Sequence, residues 1–299
     1  MSQMKLMIRL LRPHQWLKNG FVFIGVLFGH AWGDPALLLQ ALMAFAAFSL
    51  LASGVYVMND LIDREQDRLH PTKRHRPLAS GALNVPTALA LLAACFVGGF
   101  ALVQLSDNRA AWVFYCYVIL NIAYTLRLKH VVVLDVFIIA AGFMLRILAG
   151  TRGIGIEPSQ WLLLCGLMVT LFLGFAKRQA EITALDEDSA AEGGRAAHRR
   201  VLEHYSPELL SQFMTVASAG AIISYSLYTV SPETVALHGT TKLIFTVPLV
   251  IYGMFRYLFL LNRRGGGGDP ARLLMTDAHL LAALVGWLLL VLAVLKQWL

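Results

Sequence analysis

Asn59, Asp63 and Asp67 recur every four residues in the run Asn59-Asp60-Leu61-Ile62-Asp63-Arg64-Glu65-Gln66-Asp67. On a helix this spacing places three oxygen-bearing side chains on one stripe. Such a stripe repels itself unless a cation sits on it. Hard oxygen donors that leave room for water and substrate oxygens suit Mg²⁺ holding a phosphate or diphosphate. The next segment, His70-Pro71-Thr72-Lys73-Arg74-His75-Arg76-Pro77, places Lys73, Arg74 and Arg76 where they would meet the remaining phosphate charge. The competing reading is a solvated loop between membrane helices.

The elements that carry these residues are apolar. Mean hydropathy is +0.64, with 58% hydrophobic and 14% charged residues over 299 positions, outside the range of a soluble domain. Apolar stretches run from Trp16 to Trp32, Pro35 to Met58, Val85 to Leu105, Ala110 to Leu126, Val131 to Gly150, Trp161 to Phe175, Leu209 to Val230, Leu243 to Leu261 and Ala278 to Leu295. They predict an all-α membrane protein of nine transmembrane helices, each close to the ~20 residues that cross a hydrocarbon core. The chain reads as one integral-membrane domain over residues 1–299. Of the 25 Lys and Arg residues, twenty fall before or entering the first span or in and around alternate interhelical segments. By the positive-inside rule this predicts a multi-pass protein of the cell inner (plasma) membrane, amino terminus cytoplasmic and carboxyl terminus outside. Lys5, Arg9 and Arg12 against Leu6, Leu10 and Leu11 read as an interfacial helix, with no cleavable signal peptide. Cys95, Cys116 and Cys165 all lie in spans and suggest neither a disulfide framework nor a metal site.

The cytoplasmic side collects the remaining polar residues. Lys177, Arg178 and Glu181 project from the end of the sixth predicted helix, with Arg178 and Glu181 three apart on one face. The charged stretch after them, with Asp186, Asp188, Gly193 and Gly194, reads as an exposed linker or mobile lid. Tyr124 and Lys129 close the link between the fourth and fifth helices, where topology alone would also place a cation. Asp135 and Arg146 lie within the fifth helix, about three turns apart, and a charge in a span faces a polar cavity or a partner. Asp135 is near the cytoplasmic end and in reach of the site. Arg146 is nearer the outer boundary and reads as structural.

Other signals carry less. Val131-Val132-Val133-Leu134-Asp135 matches only the opening of a soluble phosphoribosyltransferase signature, and a membrane span fits it better. Gly265 to Gly268 lack the Gly-Lys-Ser/Thr of a phosphate loop and read as a flexible link. The nine histidines show no zinc-ligand spacing.

The string from Asn59 to Gly81 resembles the first aspartate-rich motif, N-D-x-x-D-x-x-x-D, of the UbiA superfamily of intramembrane prenyltransferases. Within it the chain is most similar to the decaprenyl-phosphate phosphoribosyltransferase branch. That likeness rests on R-P-H-Q-W-L-K-N at Arg12 to Asn19, H-P-T-K-R-x-R-P, L-K-H followed by Asp135, K-R-x-A-E at Lys177 to Glu181, and the late loop from Arg263 to Asp277. Where typical members carry a second D-x-x-x-D motif, this chain has Lys177-Arg178-Gln179-Ala180-Glu181. One carboxylate flanked by two cations suits a site holding more anion and less metal.

The resemblance implies a UbiA-like bundle around a polar cavity at the cytoplasmic face. It implies Mg²⁺-dependent transfer of 5-phosphoribosyl from phosphoribosyl diphosphate to a decaprenyl-like polyprenyl phosphate, releasing diphosphate, as a precursor step for lipid-linked arabinose donors of cell-envelope glycans. On that reading Asn59, Asp63 and Asp67 hold the metal, and Asp63, Asp67 and Glu181 are catalytic. Lys18, Asp60, Lys73, Arg74, Arg76, Tyr124, Lys129, Asp135, Lys177 and Arg178 bind substrate. The expected partners are the two phosphorylated substrates and the bilayer, with no nucleic acid; no oligomeric state is specified. The alternative is a UbiA-type prenyltransferase moving an isoprenoid from its diphosphate to an aromatic acceptor. A transporter ranks third, because the ionisable groups gather at one face instead of the midplane.

Overall fold

A helix buried in lipid must satisfy its backbone polar groups internally, so the apolar runs become helices, and their starts are set by capping side chains and prolines. A computed structural model describes residues 2–29, 31–70, 73–191, 204–263 and 276–298, with the side chains of 184–191 and 263 set aside. Pro71, Thr72, the side chains of Asp186 and Asp188, Gly193, Gly194 and Gly265 to Gly268 therefore lie outside the described residues. Among the described residues the α-helices are, in order, α1 (Gln3–Leu11), α2 (Ile24–Phe28), α3 (Pro35–Ile62), α4 (Arg64–Leu69), α5 (Val85–Leu105), α6 (Trp112–Leu126), α7 (Leu134–Ala149), α8 (Gln160–Ala191), α9 (Pro207–Val230), α10 (Pro232–His238), α11 (Val247–Arg263) and α12 (Ala278–Leu295). Asp34 caps α3 by accepting from the Ala36 and Leu37 amides at 2.8 and 3.3 Å, with Pro35 in the first turn. Asn84, Ser206 and Asp277 cap α5, α9 and α12 in the same way.

The chain divides into two compact units. The first comprises Met1–Lys129 and Gly142–Pro158, with Ala196–His198 outside the described residues. Its core gathers Phe48, Leu51, Val55, Val113, Phe114 and Tyr117. Phe48 stacks obliquely on Phe114 at 4.5 Å and edge-on to Tyr117 at 5.3 Å between ring centres. A smaller apolar cluster packs Leu6 and Leu10 of α1 against Val57 of α3 and against Leu78 and Leu83, which follow the basic loop.

The second unit comprises His130–Ala141, Ser159–Arg195 and Arg199–Leu299. Here α8 and α9 pack along their lengths around Phe172, Phe175, Leu210, Met214 and Tyr257. Gly174 lets α8 close onto Val136, whose side chain a Cβ would overlap. Arg256 of α11 donates to both carboxylate oxygens of Asp277 at 3.2 and 2.8 Å, tying α11 to the start of α12.

Among the described residues seven helices are long and apolar enough to cross a membrane: Pro35–Ile62, Val85–Leu105, Leu134–Ile154, Gln160–Thr183, Pro207–Val230, Lys242–Asn262 and Ala278–Leu295. The protein is a multi-pass membrane protein. Two of the nine expected spans take another form. Trp112–Leu126 is a 15-residue apolar helix, short of the usual crossing length. The expected first span is not one α-helix: Pro13–Phe23 is an 11-residue 3₁₀ stretch, followed by the five residues of α2.

A 3₁₀ run of that length is uncommon, and three side-chain ties along α3 hold it. Arg12 meets Asp60 at 2.5 Å, Trp16 Nε1 donates to Ser53 Oγ at 3.0 Å, and Asn19 Nδ2 donates to Ser49 Oγ at 3.0 Å. Its exit is fixed by backbone contact, since Cβ atoms at Gly25 and Gly150 would overlap the carbonyls of Gly150 and Val22.

Candidate functional site

The first polar cluster forms where α3 ends. The Asp63 amide bonds to the Asn59 carbonyl at 2.9 Å and the Asp67 amide to the Asp63 carbonyl at 2.8 Å. The four-residue register of the stripe therefore continues from α3 into α4, although the chain kinks at Asp63 (φ −84°, ψ 4°). The three members meet different surroundings. Asn59 Oδ1 lies 2.6 Å from the Thr125 hydroxyl, which is also 2.8 Å from the Asn121 carbonyl and has one proton for the two. Asp63 is 28% exposed and faces Lys129 Nζ at 3.4 Å. Asp67 is buried and accepts from Arg76 at 2.7 Å.

Arg76 also reaches Asp60, at 3.1 Å, and Arg12 holds the same Asp60 oxygen. Arg12, Asp60, Arg76 and Asp67 thus form one chain of alternating charge, with the two acids buried and the two guanidiniums partly exposed. This pins the basic loop to the end of α3. Arg64 and Arg68 of α4 add donors to the carbonyls of Leu78 and Ala79 at 3.3 and 3.2 Å. Arg74 stays on the outside, its guanidinium 3.4 Å from His75 Nε2. Lys18 and Tyr124 are half-buried, the first directly before the anchored Asn19 and the second directly before Thr125.

The second cluster lies in the second unit. Arg178 of α8 is fully buried and its Nε donates to Asp135 Oδ2 at 2.7 Å, both side chains being sealed inside the protein. The same guanidinium bonds Glu181, one turn further along α8. Lys177, on the outer side of the helix, stands 4.0 Å from the other Glu181 oxygen. Tyr205 donates to Asp135 Oδ1 at 2.8 Å and accepts from the Val133 amide at 2.6 Å. Burial pushes the Tyr205 phenol well above its ordinary value, so it stays a neutral hydroxyl.

Most of the expected site residues fall into these two clusters, while Lys18 precedes Asn19, which bonds Arg146, and Lys73 lies in the basic loop. Their exposure divides them. Asp63, Lys73, Arg74, Arg76, Lys129, Lys177 and Glu181 retain exposed or half-exposed side chains, whereas Asp60, Asp67, Asp135 and Arg178 are buried and paired. Arg12, Thr125 and Tyr205 lie outside the expected site set, yet each holds a residue within it. The signal for Arg12 was present, a basic residue at the head of a motif. Thr125 and Tyr205 carry no local signal.

Arg146 forms a third buried polar centre, within the first unit. Nε donates to Asn19 Oδ1 at 2.7 Å, one terminal nitrogen to the Gly142 carbonyl at 2.7 Å and the other to the Tyr117 hydroxyl at 3.1 Å. The guanidinium also lies over the rings of Tyr117, Phe48 and Phe143 at 4.6, 5.2 and 5.6 Å. This is the structural role expected for it.

Among the described residues no three His, Cys, Asp or Glu side chains converge as a metal-binding group. The test for Mg²⁺ is therefore the donor chemistry of the stripe. Asn59, Asp63 and Asp67 are hard oxygen donors, and each acid in the cluster already faces a cationic side chain. Arg12, Arg76 and Lys129 already balance the three acids, so an ion would bind here by exchange with those side chains, and the oxygen donors fit it in kind.

The model of the UbiA prenyltransferase family matches residues 20–281. The chain is 35% identical over 292 residues to a decaprenyl-phosphate phosphoribosyltransferase of Corynebacterium glutamicum, covering 94% of this chain and 84% of that protein. It is 31% identical over 289 residues to a decaprenyl-phosphate phosphoribosyltransferase of Mycobacterium tuberculosis, covering 94% and 91%. In fold it is similar to a UbiA homolog from Archaeoglobus fulgidus solved bound to GPP and Mg²⁺, with a TM-score of 0.71 and 21% identity over 97% of this chain and 99% of that one.

Proposed function

Because the chain belongs to the UbiA prenyltransferase family, and is accordingly a membrane transferase, we propose that it transfers 5-phosphoribosyl from phosphoribosyl diphosphate to a polyprenyl phosphate. The observation that carries this reading is the near full-length likeness to decaprenyl-phosphate phosphoribosyltransferases, at 35% and 31% identity. The second cluster supports it. Glu181 is its exposed carboxylate, and Lys177 beside it is an exposed cation placed for a phosphate oxygen.

In the reaction the bond from the anomeric carbon to the diphosphate breaks, and diphosphate leaves with the electron pair. A new bond forms from that carbon to an oxygen of the polyprenyl phosphate. The acceptor oxygen is already ionised, so no strong general base is needed. Mg²⁺ held by Asn59, Asp63 and Asp67 would neutralise charge developing on the diphosphate. Asp63 is the accessible donor of the three; Asp60 and Asp67 keep Arg76 in register. Lys73, Arg74, Arg76 and Lys129 on one cluster and Lys177 on the other bind phosphate oxygens, and Lys18 contributes a further cation. Glu181 orients a ribose hydroxyl. Tyr124, beside Thr125, lines the substrate.

We read residues 1–299 as one transferase domain of nine crossings in the inner (plasma) membrane, amino terminus cytoplasmic, with its polar site on the cytoplasmic side. A C50-like chain leaves the bilayer at prohibitive cost while phosphoribosyl diphosphate is soluble and charged, so a site at the cytoplasmic boundary lets them meet. The product would be a precursor of lipid-linked arabinose donors for cell-envelope glycans.

The test is transfer of label from radiolabelled phosphoribosyl diphosphate into the lipid phase by purified protein with Mg²⁺ and polyprenyl phosphate. Chelator-sensitive transfer is expected. No transfer, with an isoprenyl diphosphate consumed instead in the presence of an aromatic acceptor, would move the protein to the prenyltransferase reading.

A further inference from the structure

We propose that Tyr205 is a positioning residue: its hydroxyl joins the backbone before α7 to Asp135 and, through Asp135 and Arg178, sets how Glu181 is presented. The inference rests on Glu181 belonging to the site described above. Every link lies within the second unit. The phenolic oxygen accepts from the Val133 amide at 2.6 Å and donates to Asp135 Oδ1 at 2.8 Å, so both of its capacities are engaged. Asp135 uses its other oxygen for Arg178 Nε at 2.7 Å, and the Arg178 guanidinium continues to Glu181.

Two features mark this as more than incidental packing. Val133 is β-branched yet has φ +68°, a left-handed backbone that is strained for such a residue and persists only where its surroundings hold it. The Tyr205 hydroxyl is one of the groups that hold it. Among the side chains of the relay exposure rises at its last member: Tyr205, Asp135 and Arg178 are buried, whereas Glu181 is 31% exposed. Burial holds the phenol in its protonated form, so it remains a donor to Asp135 across neutral pH.

Tyr205→Phe keeps the ring in the apolar core and removes only the hydroxyl. In the full-length protein we expect kcat for phosphoribosyl transfer to fall roughly 10- to 100-fold, as for a misplaced reacting group, with both KM values and the thermal midpoint little changed. In a Glu181→Gln background the same substitution should add almost nothing, because its effect passes through Glu181. Two readouts need no substrate: amide exchange at Val133 and carbodiimide labelling of the Glu181 carboxylate should both accelerate severalfold in Tyr205→Phe. Full additivity with Glu181→Gln, or unchanged exchange and labelling, would overturn the proposal. Should the wild-type protein transfer no phosphoribosyl group, the functional reading fails, and exchange and labelling still decide the role of Tyr205.

Discussion

Arg178 and Asp135 meet at 2.7 Å with both side chains sealed inside the protein, 43 positions apart in sequence. A buried pair of this kind gains little over an apolar pair of the same shape. Removing one partner is a different matter, because it strands the other charge. Asp135→Ala should therefore destabilise the protein by about 3–5 kcal/mol. A denaturation midpoint equal to wild type in detergent would show that Arg178 finds another partner.

Asp63 combines partial exposure with a long contact to Lys129, so it is the stripe acid most open to a cation. Asp63→Asn should abolish Mg²⁺-dependent turnover and leave membrane insertion intact. Turnover at the wild-type level would remove Asp63 from the mechanism.

Glu181 is held by Arg178, whereas the Asp188 side chain lies outside the described residues. Glu181→Gln is expected to cripple catalysis far more than Asp188→Asn. Equal and small losses would place both in a solvated segment.

Arg146 ties the 3₁₀ segment to α7 through Asn19, with a hydrogen bond from a charged donor. The coupling between Asn19→Ala and Arg146→Ala in unfolding free energy should be about 1.5–3 kcal/mol. Simple additivity would mean that the segment is held by Ser49, Ser53 and Asp60 alone.

The hydrogen bond from Arg256 lowers the Asp277 carboxyl from 3.8 to about 2. Its folded value lies below its unfolded one, so its contribution is full above about pH 4 and is lost as pH falls toward 2. Thermal midpoints of wild type and Asp277→Asn should converge over that window. Parallel curves would sink the assignment.

Much of the membrane architecture was legible because the bilayer constrains every span alike. Backbone groups must be satisfied within the segment, so the runs from Pro35, Val85, Leu209 and Ala278 read directly as helices. The register of Asn59, Asp63 and Asp67 was legible for the same local reason. Helical spacing depends on near neighbours, and the backbone bonds through Asp63 preserve it. The sequence by itself thus determined seven of the spans and the register of the stripe.

Only the tertiary structure decided which of those residues are accessible. Asp63 and Asp67 look alike in sequence, yet one is exposed beside Lys129 and the other buried against Arg76. Arg178 and Lys177 are adjacent, and the helix turn between them sends one to Asp135 and the other outward. The apolar run after Trp16 became 3₁₀ because Ser49, Ser53 and Asp60 on α3 offer partners to Asn19, Trp16 and Arg12. Such choices are made between side chains distant in the chain, where packing brings them together, and local patterns of residue type carry no record of the partner.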